Sequence, residues 1–293
     1  MEMNLQKYLA FVKTVELGSF TEAAEKLHYS QAGISRMIAD LEREWKLTLL
    51  ERSKYGIRLT SDGETLLPYA KSLCAEFDRM QTQIRDIQGY QTGTIRIGTF
   101  SSVATHWLPR IIREFQKDYP GIDYELLLGD YTEIEIWLLE GRVDCGFLRL
   151  PTLPELDTVS LALDQLMVIL PEGHPYAEAD AFPLKELEQE PFMLLEKGAK
   201  AEISEVFEKH GLHPHVHFTT WDDYAVMSMV EQGLGIAILP ELILKRIPYR
   251  VVAKPLEIPA FREIGFAVKD KAAMSLANKR FIEYLSFRDS ARS

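Results

Sequence analysis

The apolar positions change rhythm twice along the chain. Up to residue 60 they follow short helical repeats. Leu5, Leu9 and Val12 share one face of a helix predicted over 5–16, and Tyr8, Phe11 and Val15 widen the stripe. Ser19 and Glu22 have the S-x-x-E spacing of a capping box, and Ala23, Ala24 and Leu27 give the short helix behind it a small apolar face. The turn at His28-Tyr29 ends on Ser30, a good N-cap for a third helix. That helix carries its core stripe on Ile34, Ile38 and Leu41, at i, i+4 and i+7. Two short strands come next, at Leu49–Arg52 and Ile57–Thr60, around the turn Ser53-Lys54-Tyr55-Gly56.

From Thr60 or Ser61 the rhythm tightens. Leu66, Ala70, Leu73, Phe77, Met80, Ile84 and Ile87 are spaced 4, 3, 4, 3, 4, 3, a heptad seam with a period of about 3.5. A helix packing on its own domain would show a broader stripe, so the seam predicts a dimerisation helix. Pro68 near its start predicts a kink. Gly89 to Gly93 is a short polar linker.

Beyond it, strands alternate with helices. Strands are predicted at 94–99, 124–128 and 143–148, with helices around Trp107–Phe115 and over 132–140. A similar series succeeds it: strands at 165–170, 192–195, 216–218, 236–239 and 264–268, with helices at 201–209, 221–232 and 274–286. This order predicts parallel sheet with helices on its faces, in two similar α/β lobes that the chain crosses between more than once.

In the first 60 residues, two short helices and a tight turn make a helix-turn-helix. Its second helix leaves Gln31, Ser35 and Arg36 opposite the core stripe, as a helix reading a major groove requires. Ser30, Gln31, Ala32, Ser35 and Arg36 are therefore the candidate DNA contacts. Arg52 and Lys54, at the base and tip of the hairpin wing, are placed for phosphates or a minor groove.

Phe11, Gly18-Ser19-Phe20, Ala23-Ala24, Leu27, Ser30-Gln31, Ser35-Arg36, Leu41-Glu42, Arg52 and Leu59-Thr60-x-x-Gly63 together resemble the N-terminal domain of LysR-type transcriptional regulators. There are departures: that family usually has Gly where Lys46 stands and Phe where Leu50 stands, and Gly33 replaces a more usual Ala or Ser. Gly233-Leu234-Gly235-Ile236-Ala237-Ile238-Leu239-Pro240 matches a second family pattern. The resemblance implies a winged helix-turn-helix over 1–60, a linker and dimerisation helix over 61–89, and an effector-binding domain over 93–293. That domain would be periplasmic-binding-protein-like, with lobe I at 93–162 and 267–293 and lobe II at 163–266. It also implies a homodimer or homotetramer on double-stranded DNA, a promoter-proximal site and contact with RNA polymerase.

In open α/β sheets, ligands sit at the carboxyl ends of strands beside helix N-termini. Ser101 and Ser102, Gly129-Asp130-Tyr131 and Arg149 follow the first three strands of lobe I, and the resemblance points to the same places. Arg149 either clamps a carboxylate effector or makes a surface ion pair; Asp130 either pairs with Arg149 or selects an amine. Ser101 is either a ligand contact or a helix cap. Lobe II offers Lys197-Gly198 and Thr219-Thr220, while Trp221 reads as core or lobe interface before stacking platform.

Composition changes little: 46% of residues are apolar and 26% charged, ordinary for a globular protein. Charge changes more. The net value is −11, yet residues 1–60 hold nine Lys/Arg against eight Asp/Glu, a balance of +1 that leaves −12 for the rest. DNA binding is then confined to a local patch, with steep salt dependence. No apolar run approaches the ~18 residues of a membrane span, and the N-terminus lacks a secretory pattern, so a cytoplasmic protein is expected. Cys74 and Cys145 read as two reduced thiols, with a peroxide-sensing pair as the alternative. His213, His215 and His217 alternate as one face of a strand would, but Pro214 interrupts them and no carboxylate or thiol lies close, so no metal is assigned. No catalytic motif or cofactor fingerprint is present. A solute-binding protein with an N-terminal extension is the rival reading, and the wing speaks against it.

Overall fold

The computed structural model describes residues 4–53, 56–87, 93–196 and 202–288. They form two compact units that divide near residue 90. The N-terminal unit comprises α1 (Leu5–Leu17), α2 (Phe20–Leu27), α3 (Gln31–Trp45), β1 (Leu50–Ser53), β2 (Gly56–Leu59) and α4 (Ser61–Ile87). The expected helix starts form: Ser19 Oγ accepts from Glu22 N at 3.3 Å and Ser30 Oγ from Gly33 N at 3.1 Å. The C-terminal ends of α2 and α3 are closed by left-handed residues that are not glycine, His28 at φ 59° and Lys46 at φ 58°. Lys46 thus makes the same kind of cap as the Gly usual at that position, at a cost of about 1 kcal/mol. Glu42 steadies the chain beyond it, its carboxylate accepting from Leu49 N at 2.7 Å and Leu50 N at 3.2 Å. Gly63 is fixed by close approach, since a Cβ there would lie 2.2 Å from the Leu49 carbonyl oxygen.

Phe11, Ala23, Ala24, Ile34, Ile38, Leu41 and Leu49 fill the core of this unit. So do Ala70 and Cys74 of α4, with Leu66, Leu67 and Leu73 packed against them. This corrects the expectation for the seam. Its first half, including Leu66, Ala70 and Leu73, serves the core of its own unit, because small residues at 70 and 74 let α4 approach α1. Only beyond Cys74 does the seam turn outward: Phe77 is 37%, Met80 50% and Ile84 40% exposed. The helix continues through Pro68 without a break. The wing tip Lys54, with Tyr55, and the linker residues 89–92 lie outside the described residues, as do the side chains of Arg52 and Ile87.

The C-terminal unit opens with β3 (Gly93–Thr99), α5 (Ser101–His106), α6 (Leu108–Asp118), β4 (Ile122–Leu128), α7 (Tyr131–Glu140), β5 (Cys145–Arg149) and β6 (Asp157–Pro171). It continues through β7 (Phe192–Leu195), α8 (Glu202–His210), β8 (Val216–Thr220), α9 (Asp223–Glu231), β9 (Ile236–Pro240), β10 (Val251–Val268) and α10 (Leu276–Glu283). Eight described strands form one sheet in the order β4-β3-β5-β10-β6-β9-β7-β8. Each end of it is parallel, β4-β3-β5 in one lobe and β9-β7-β8 in the other. The middle is not. β6 and β10 pair antiparallel with each other over most of their length, and join the lobes by antiparallel pairing with β9 and β5.

The sheet is therefore mixed rather than parallel, and its two central strands are far longer than the predicted 165–170 and 264–268. β10 joins β5 from Ile264 onward. Their hidden halves carry polar and charged residues, Asp164 and Arg262 among them, and exposed Val159, Leu163 and Phe261. Over 159–164 apolar Val159, Leu161 and Leu163 alternate with Ser160, Ala162 and Asp164, a strand signal that the prediction of 165–170 left out.

Replacing Lys46 by Gly relieves the left-handed strain. Lys46→Gly is expected to stabilise the N-terminal unit by about 0.5–1 kcal/mol, read as a higher denaturation midpoint for its helices. A lowered midpoint would show that the lysine side chain contributes more than its backbone costs.

Candidate functional site

Two surfaces carry the candidate residues, one in each unit. On α3, burial of Ile34, Ile38 and Leu41 fixes which face turns outward. Ser30, Gln31, Ala32 and Arg36 are exposed on it and Ser35 partly so, all within the first half of the helix. The Ser30 hydroxyl is engaged as the α3 cap. Arg58 on β2 is exposed as well, a basic wing residue that the sequence reading did not select.

In the C-terminal unit, a cavity of about 130 Å³ opens between the lobes. From lobe I it is lined at the carboxyl ends of β3 and β4 by Ser101, Ser102, Asp130 and Tyr131; from lobe II by Glu196, Glu202, Trp221 and Asp223. Arg262, on β10, completes it. Its side chain is 5% exposed. Arg262 Nε and Nη2 donate to Asp164 Oδ2 at 2.9 and 2.7 Å, directly across the β6–β10 pair. Nη2 also donates to Ser102 Oγ at 2.7 Å, and Nη1 to Tyr131 Oη at 2.9 Å. Nη1 lies 3.5 Å from Glu202 Oε1, and the guanidinium carbon sits 4.9 Å from the Phe100 ring centroid. Tyr131 Oη in turn donates to Glu202 Oε2 at 3.1 Å.

Burial opposes the charge of Arg262, but Tyr131, Glu202 and Asp164 outweigh it and hold the guanidinium firmly protonated. Burial raises the Glu202 carboxyl above its ordinary value, against the pull of Arg262 and Arg149. It does the same to Asp223, against a hydrogen bond with Ser101 and the charge of Arg262.

The geometry brings together Ser101, Ser102, Asp130 and Tyr131, as expected, and separates the others. Arg149 does not line the cavity. Its guanidinium makes a two-point pair with Glu205 of α8, 2.8 Å at Nη1–Oε1, so it ties lobe to lobe instead of awaiting a carboxylate. Asp130 does not pair with it; its carboxylate accepts from Glu133 N at 2.8 Å and caps α7, while Glu133 returns the bond to Asp130 N. Thr219 is exposed on β8, the edge of the sheet, and does not line the cavity. Trp221 is 68% exposed and lines the cavity rather than the core. Lys197 and Gly198 lie outside the described residues.

Arg262, Glu202 and Asp223 were missed. Arg262 sits unannounced in a strand, and its partner Asp164 is 98 positions away. Asp223 follows the N-cap Asp222, and a second acid at a helix start is the signal that was there to use.

The remaining candidates are two thiols and three histidines. Cys74 and Cys145 are buried; burial pushes the Cys74 thiol up to about 11 and raises Cys145 as well, which suppresses the reactive thiolate. His215 and His217 stack with ring centroids 5.9 Å apart, but among the described residues no His/Cys/Asp/Glu group is arranged to hold a metal ion. Also among them, no helix is long and apolar enough to cross a membrane.

Known proteins share both halves. Residues 5–64 match the bacterial regulatory helix-turn-helix protein, lysR family, and residues 88–288 match the LysR substrate binding domain. The chain is 32% identical to the uncharacterized HTH-type transcriptional regulator YvbU of Bacillus subtilis over 284 residues, 96% of this chain and 97% of that protein. It is 34% identical to LrrA of Synechococcus elongatus, named as a probable HTH-type transcriptional regulator, over 288 residues, 97% and 96% of the two chains. The solved structure of HinK, a LysR family transcriptional regulator from Pseudomonas aeruginosa, aligns with a TM-score of 0.61 and 28% identity over 99% of both chains. With a DNA-reading helix-turn-helix at one end and a two-lobed effector-binding domain at the other, this chain belongs to the LysR family of transcriptional regulators and is not an enzyme.

Proposed function

We propose that the protein is a cytoplasmic regulator that binds its operator as a dimer or tetramer and changes its hold on DNA when an effector enters the cavity at Arg262. The observation that carries this reading is the outward face of α3, where Gln31, Ala32 and Arg36 stand exposed above a fully buried stripe. Gln31, Ser35 and Arg36 read base edges, Ser30 and Ala32 set the approach of the helix, and Arg52 and Lys54 of the wing meet the backbone.

Residues 1–60 are the reading domain, buttressed by the first half of α4, and 93–293 are the regulatory domain. The outer half of the seam, Phe77, Met80 and Ile84, pairs two chains and sets two copies of α3 on two half-sites. An effector acts by its differential affinity for two arrangements of the lobes, and the resulting shift alters contact with RNA polymerase at a promoter-proximal site. A carboxylate effector was expected on the strength of Arg149; with that guanidinium engaged by Glu205, the expectation loses its donor.

Two measurements test this. Arg36→Ala should weaken binding to the operator, selected from random duplex DNA, by roughly ten-fold or more while nonspecific binding changes little. Equal losses on both would make Arg36 a phosphate contact. Phe77→Glu should halve the mass of the dimer in sedimentation equilibrium, and an unchanged mass would place the dimer contact elsewhere.

A further inference from the structure

We propose that the effector is a small organic cation, an amine or guanidinium, held by Glu202, Asp223 and Asp130 with its charge against the Trp221 ring. This rests on the reading of the inter-lobe cavity as the effector site.

Charge is the first argument. Among the described residues, four carboxylates line the cavity, Asp130, Glu196, Glu202 and Asp223, against one guanidinium, Arg262. Arg262 is already neutralised from behind by Asp164, and each of its nitrogens is committed to Asp164, Ser102, Tyr131 or Glu202. It has nothing left to offer an anion.

Backbone donors give a second, independent argument. Anions are met by free N–H groups at helix starts. At α7 and α9 those starts are filled by the protein's own acids, while α5 has no side-chain cap. Asp130 Oδ1 takes the Glu133 N–H of α7, and Asp222 Oδ1 takes Tyr224 N at 2.9 Å and Ala225 N at 3.1 Å at α9. An anionic effector would have to displace a carboxylate at α7 or α9, and at the start of α5 it would sit among four carboxylates.

A cation meets the opposite situation. The exposed ring of Trp221 lines the same space as the acids, and an aromatic face beside carboxylates is a favourable setting for an ammonium or guanidinium group. Burial raises both Glu202 and Asp223, and a positive guest beside them would favour their charged forms. A cavity of about 130 Å³ sets the size, on the order of a benzene ring.

The test uses the full chain with two probe sets of similar size, putrescine, agmatine and choline against succinate and benzoate, read by calorimetry and thermal unfolding. At least one amine should bind and raise the unfolding temperature. Glu202→Gln and Asp223→Asn should each weaken it by roughly ten-fold, the effect of removing one charged hydrogen-bond partner. Trp221→Ala should also weaken it, with Trp221→Phe retaining most of the affinity. Because Trp221 is exposed, these two variants keep the test valid if the Glu202 variant fails to fold. Binding of carboxylates alone would overturn the cation while leaving the cavity as an effector site. No binding by either set would overturn both readings. Amine binding untouched by all the substitutions would put the cation elsewhere and overturn the inference.

Discussion

A guanidinium taken out of water must be matched on all its N–H groups, or the cost of desolvation is not recovered. Arg262 meets that condition only by collecting groups from distant parts of the chain: Asp164 across the central strand pair, Ser102 and Tyr131 from one lobe, Glu202 from the other. Removing one partner of such a buried pair costs about 3–5 kcal/mol, because a bare charge is left behind. The network therefore fixes how the lobes meet before any ligand arrives. Arg149 and Glu205 reinforce it from the side.

Such a starting point constrains the mechanism. An effector entering the proposed cavity would meet a regulatory domain already tied across its cleft. It would exchange contacts within the network, and only the difference between old and new contacts would be available to shift the equilibrium. The Glu202 carboxylate is the pivotal group, since it touches Tyr131 and Arg262 and also faces the cavity.

The N-terminal unit was almost wholly legible in the sequence. Its caps, turns and stripes are local devices, and Ser19, Ser30 and Ile34-Ile38-Leu41 each act within a few residues of themselves. The Lys46 cap shows the limit: backbone geometry followed the turn, not the residue type. Ala70 shows another. A seam with a 3.5-residue period looks the same whether it faces a second chain or its own domain, and only three-dimensional packing splits it at Cys74. In the regulatory domain, strand ends gave Ser102, Asp130 and Tyr131, because topology alone puts them at the cleft. Arg262 and Glu202 reach it through pairings between remote segments, for which a single sequence carries no local mark.

Arg262 and Asp164 also stand directly opposite each other in the β6–β10 register. Side chains alternate faces along a strand, so a slip of one residue would send the two charges to opposite sides and break their pairing. The pair thus acts as an alignment key for two strands whose facing charges lie 98 positions apart in the chain. Assembly of the lobes has to wait for β10, the strand between β5 and β6. A nascent chain that has not yet reached Val251 holds both half-sheets but not the strand that joins them, so the cleft is among the last features to exist.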